Sequence, residues 1–100
     1  MKNIVLSIED YKKLYSVPDE VADNLNEYCA EFEKWLRKSP DAKRFRVNSR
    51  VVTYNEGDFI EYLNTYKFPK EKSVFVKNLG RFDRRAKLPA PYCDYPERSF

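Results

Sequence analysis

From Pro18 to Lys38 the chain carries one period. Val21, Leu25, Tyr28, Cys29, Phe32, Trp35 and Leu36 recur at helical spacing, while Asp19, Asp23, Asn26, Glu27, Lys34, Arg37 and Lys38 fall on the opposite side. At about 100° per residue the apolar set spans an arc of roughly 120°, so the spacing predicts one long amphipathic helix with a single face to bury. Pro18 suits a first helical turn, and Asp19, Glu20 and Asp23 complement the positive end of the helix dipole. Ser39 and Pro40 stop the helix. A helix of this design needs a covering surface, which the rest of the chain must supply.

The flanking patterns predict that surface. Asn3 to Leu6 is short and β-branched and reads as a first strand. Ser7, with Asp10 three residues on, resembles a helix cap, and Ile8, Tyr11, Leu14 and Tyr15 would line one side of a brief helix. Between Lys43 and Tyr54 the period becomes two. A turn at Asn48 and Ser49 would place Phe45, Val47, Val52 and Tyr54 on one face of a hairpin lying over the long helix. Asp58 to Tyr66 reads as a second short helix presenting Phe59, Tyr62, Leu63 and Tyr66. Ser73 to Lys77 favours a strand by its β-branched residues, over a short helix closing at Gly80. Leu88 to Pro91 should be extended, because proline disfavours α in the residue before it.

These elements predict an α+β domain: a small, mainly antiparallel sheet packed on one long amphipathic helix, with two shorter helices and an extended C-terminal tail. Residues 1–80 form the domain in this reading, and residues 81–100, rich in proline, aromatic and basic side chains, form the tail. One hundred residues suit one core without a metal or disulfide to hold it. Eight tyrosines and seven phenylalanines are many for so small a core, so some rings should be displayed or lie half-buried against the fold.

Charge is unevenly distributed. Residues 1–42 carry six positive and nine negative side chains, residues 43–100 thirteen and seven, so an acidic helical half precedes a basic one. No apolar run is long enough to cross a bilayer, and no apolar leader opens the chain. The expected address is cytoplasmic, where Cys29 and Cys93 would be reduced thiols, Cys29 buried on the apolar stripe and Cys93 exposed.

The chain has no histidine, which removes the commonest general base and the commonest metal ligand together. Two cysteines without histidine cannot complete the usual zinc site, and Asp19, Asp23 and Glu27 read as a solvated carboxylate row rather than a cation loop. Gly57 and Gly80 are the only glycines, too few for a phosphate cradle. No catalytic, cofactor or metal residues are assigned, and the chain is expected to be no enzyme.

Binding is what remains. Arg44, Arg46 and Arg50 in KRFRVNSR, Arg81, Arg84, Arg85 and Lys87 in RFDRRAK, and Tyr92 and Tyr95 in the tail are the partner-binding candidates. The reading is a non-enzymatic protein-protein interaction module, engaging a protein partner or a second copy of itself, with no membrane role. In size, composition and missing catalytic apparatus it is similar to small accessory or inhibitor proteins of phages and mobile elements, a likeness that assigns no site. The alternative is a nucleic-acid-binding protein using the basic hairpin and tail, since arginines interleaved with rings suit phosphate and base contacts.

Overall fold

The chain opens with a hairpin. In the computed structural model, which describes residues 1–48, 51–83 and 86–100, β1 (Lys2–Ile8) and β2 (Tyr11–Val17) pair antiparallel across a two-residue link, with Ile4 opposite Tyr15 and Val5 opposite Leu14. Glu9 in that link takes φ 54°, a left-handed conformation that a side chain disfavours. The brief helix expected over Ile8 to Tyr15 is therefore a strand. Its four apolar residues match helical spacing, but Leu14 and Tyr15 are both buried because they point to opposite faces of a sheet covered on both sides. A strand of that kind shows no clean alternation.

The long helix is divided. α1 (Asp19–Asp23) and α2 (Leu25–Lys38) are separated by Asn24, at φ −133° and ψ 39°, whose backbone N–H and side-chain amide both return to the Glu20 carbonyl. The apolar stripe survives the break: Val21, Leu25, Cys29, Phe32 and Leu36 are all buried. Tyr28 and Trp35, at the margin of the stripe, are half-buried.

After α2 the backbone stays wound. Ser39 accepts from the Asp41 N–H at 3.2 Å and Pro40 opens a 3₁₀ turn over Pro40–Phe45. The expected hairpin is reduced to one bridge, Arg46 to Val52, with Val47 N–H on the Val51 carbonyl and Thr53 N–H on the Phe45 carbonyl. This register is one residue away from the Phe45-to-Val52 pairing expected, and Val47 is exposed rather than turned inward. The Asn48–Ser49 turn itself lies partly outside the described residues, because Ser49 is not among them.

α3 (Glu56–Tyr62) begins with a reciprocal cap: Asp58 N–H donates to Asn55 Oδ1 at 3.0 Å and Asn55 N–H to Asp58 Oδ2 at 2.9 Å. It loosens into one π turn, Leu63–Lys67. β3 (Val74–Arg81) follows, a strand as expected, and β4 (Glu97–Ser99) closes the chain.

The sheet order is β3-β2-β1-β4, antiparallel except for β1 with β4. One face carries Ile4, Leu6, Tyr15 and Val17 into a core with the helices, where the Phe32 ring meets Tyr54, Phe59 and Tyr62 at 5.2–5.5 Å. Most of the surplus rings are spent there. The other face carries Val5, Leu14 and Leu79 and is covered by Phe82, Leu88, Tyr92 and Tyr95. Within that cover Pro89 to Tyr92 turns rather than extends, the Tyr92 N–H reaching the Pro89 carbonyl at 2.9 Å and the Ala90–Pro91 peptide being cis. The C-terminal residues then join the sheet, and Phe100 packs on Phe59 at 5.6 Å. Among the described residues no helix is long and apolar enough to cross a membrane.

Candidate interaction surface

The residues singled out from sequence fall in three settings. Arg44 lies in the 3₁₀ turn with its guanidinium 4.4 Å over the Phe45 ring and 3.8 Å from Glu61, exposed and weakly held. Arg46, two residues on, is committed: its Nε donates to the Leu36 carbonyl at 2.9 Å and a terminal nitrogen donates to the Ser39 carbonyl. The Leu36 carbonyl is one that the end of α2 leaves without a helical partner, and the Ser39 carbonyl also accepts from the Ala42 N–H at 3.1 Å, so this guanidinium ties the end of α2 to the 3₁₀ turn. Arg81 lies at the end of β3, exposed and 3.5 Å from Asp10. Lys87 is exposed, while Tyr92 and Tyr95 are half-buried beneath the sheet with their rings 6.3 Å apart. Arg50, Arg84 and Arg85 lie outside the described residues.

The charged groups of the interior are few and mostly answered. Glu56 is buried and accepts from Lys13 Nζ at 2.7 Å, leaving its second oxygen without a partner, and that hydrogen bond raises the Lys13 ammonium above its ordinary pKa. Cys29 is pushed up to about 12 by burial, which makes it an inert thiol. A surface depression of about 610 Å³ at the hairpin end is lined by Glu9, Asp10, Asp83 and Glu97, but Asp10 pairs with Arg81 and Glu97 with Lys12. Among the described residues no group of three or more potential metal ligands converges.

The feature that sequence reasoning missed is the place of β3 in the sheet. It stands first in the sheet order, so among the described residues no strand neighbours its outer side. Val74, Phe75 and Val76 are 53%, 54% and 49% exposed there, three consecutive large apolar residues on an open edge. The opposite edge, β4, is only three residues long and bears Glu97 and Arg98, a short charged strand of the kind that discourages pairing.

The β3 edge is also held in place. Asn64 from the π turn brackets Ser73 with two hydrogen bonds, receiving from its N–H at 2.6 Å and donating to its carbonyl at 3.0 Å. At the far end the Phe82 N–H donates to the Asp10 carbonyl at 2.7 Å, and Gly80 at φ 92° closes on the Asn78 side chain. Along its length β3 pairs with β2, with extra residues at Val76 and Leu79 where the register shifts. The Phe75 ring meets Tyr15 edge-on at 5.6 Å, which fixes its root while leaving half of its surface in water.

The run Val74-Phe75-Val76 was legible as a strand, but its place at the edge was not. Which strand lies outermost is decided by the β1–β2 hairpin, and β2 reads as a helix from its spacing. No family model, curated protein or solved structure matches the chain.

Proposed function

We propose that the protein is a non-enzymatic protein-binding module and that it meets its partner through the open edge of β3. The observation that carries this reading is the exposed Val74-Phe75-Val76 row on a strand with a free side. An edge strand offers unpaired backbone donors and acceptors along one line, and an extended segment of another protein can add to it by main-chain hydrogen bonds, with its side chains meeting the apolar row. Because β3 is tied at both ends and backed by β2, little ordering is required on this side of the contact. The chain has no histidine, and no cluster of ligating side chains forms among the described residues; neither offers a starting point for catalysis.

Nucleic acid fits less well. Stacking of bases asks for an open sheet face or a groove with free rings, whereas here the helices cover one face and Phe82, Leu88, Tyr92 and Tyr95 the other. Of the arginines in the described part of the basic hairpin, Arg46 is occupied with backbone carbonyls.

Affinity capture with the tagged protein, with and without nuclease treatment, tests the reading. A bound protein should survive nuclease and be lost with the double substitution Val74→Thr and Val76→Thr, which keeps strand preference while removing apolar surface. Exposed positions of this kind cost within about 0.5 kcal/mol in stability, so the variant remains folded. Equal capture by variant and wild type, or capture that vanishes with nuclease, contradicts the proposal.

A further inference from the structure

We infer that the occupant of the β3 edge is an extended segment with apolar residues at its centre and acidic residues at its ends, and not a second copy of this chain. This rests on the reading of β3 as a docking edge and adds what the partner must carry. Around the apolar row, residues 67–81 hold Lys67, Lys70, Lys72, Lys77 and Arg81 against the single acid Glu71. Lys67 is engaged with Glu31 at 3.1 Å and Arg81 with Asp10 at 3.5 Å, while Lys70, Lys72 and Lys77 have no ion-pair partner among the described residues. The three unanswered ammonium groups flank Val74, Phe75 and Val76 on both sides in sequence.

The same charges argue against self-pairing. If two copies joined antiparallel about Phe75, Lys77 of each would lie opposite Ser73 of the other and Lys72 opposite Asn78, so that each end of the seam would gather Lys70 and Lys72 of one copy and Lys77 of the other. Alternate side chains point to opposite faces, so net charge decides: each end holds three ammonium groups against the single acid Glu71, and that positive excess disfavours self-pairing. Lysines on an edge are a recognised guard against pairing of like with like. They become an attraction when the incoming strand carries carboxylates, and the apolar row between them then closes against apolar side chains.

Three labelled peptides test this, each with the same alternating valine and threonine centre and with glutamate, glutamine or lysine pairs at the ends. Their binding to the whole protein is followed by fluorescence anisotropy. The glutamate peptide should bind about tenfold more tightly than the glutamine peptide, as several exposed ion pairs together supply, and the lysine peptide most weakly. Raising salt from about 0.05 M to about 0.5 M should narrow the difference. In the variant combining Lys72→Glu and Lys77→Glu, with its fold checked by circular dichroism, the order should reverse. Equal affinity for the glutamate and glutamine peptides overturns the acidic partner while leaving the edge as a docking site. No binding by any peptide overturns both. A dimer in sedimentation that disappears in the Val74→Thr, Val76→Thr variant assigns the edge to a second copy and overturns the inference.

Discussion

Glu9 is the residue whose conformation its own side chain opposes. It holds φ 54° to let Ile8 and Tyr11 pair, and a left-handed residue with a Cβ bears about 1–2 kcal/mol of strain. Glu9→Gly should therefore stabilise the fold, with part of the relief offset by the greater freedom of glycine in the unfolded chain. A net gain of about 0.5–1 kcal/mol is expected, seen as a rise of roughly 2–6 °C in the melting temperature. A fall would show that the side chain contributes more than its backbone costs. Cys29 supplies a second residue-scale prediction. Its thiol ionises near 9.0 in an ordinary setting and is pushed up to about 12 by burial, so above pH 9 the unfolded chain releases a proton that the folded chain retains. Stability should fall as pH rises from about 9 towards 12, and Tyr28, also pushed up to about 12 by burial and its hydrogen bond to Glu20, adds to the fall. Urea unfolding at stepped pH measures this. The slope should be shallower in Cys29→Ala, and a wild-type profile flat over that range contradicts the assignment.

At the scale of elements, what could be read from sequence depended on how many faces each element buries. α2 buries one stripe, and its spacing was legible from Leu25 to Leu36; Asn24 broke the run without rotating the stripe, which is why the division left no trace in the pattern. α3 and the π turn after it were legible for the same reason, with Phe59, Tyr62 and Leu63 buried, although Tyr66, expected on the same side, is exposed. β2 was not, because Leu14 and Tyr15 serve opposite cores and their adjacency mimics a helix. The reduced hairpin failed for a different reason: Arg46, chosen from sequence as a surface contact, turns back on the Leu36 and Ser39 carbonyls and ties the end of α2 to the 3₁₀ turn. Composition reveals that a guanidinium is present but not which carbonyl it will find. β4 was hidden because three residues carry no period, yet it fastens the C-terminal residues: Arg98 reaches Glu33 at 3.4 Å and Phe100 closes over Tyr54 and Phe59. Phe100→Ala should cost about 2 kcal/mol, the worth of a largely buried ring, measured as a lower urea midpoint with an unchanged slope. An unaltered midpoint would mean that the last strand is not fastened by its ring.

For the whole molecule, the sheet is the dividing layer. The helices cover one face, Phe82, Leu88, Tyr92 and Tyr95 the other, and the short charged β4 blunts one edge. That arrangement leaves β3 as the long open edge, with apolar surface between lysines. The α+β class and the principal helix were legible because they follow from local periods. The docking edge was not, because an edge exists only once the order of strands is known. Amide hydrogen exchange of the protein, alone and with the glutamate-flanked peptide, tests the edge most directly. The outward amides of residues 74–78 should exchange quickly in the free protein and become protected on binding, while α2 is unaffected. Protection that appears elsewhere, with those amides unchanged, would contradict it.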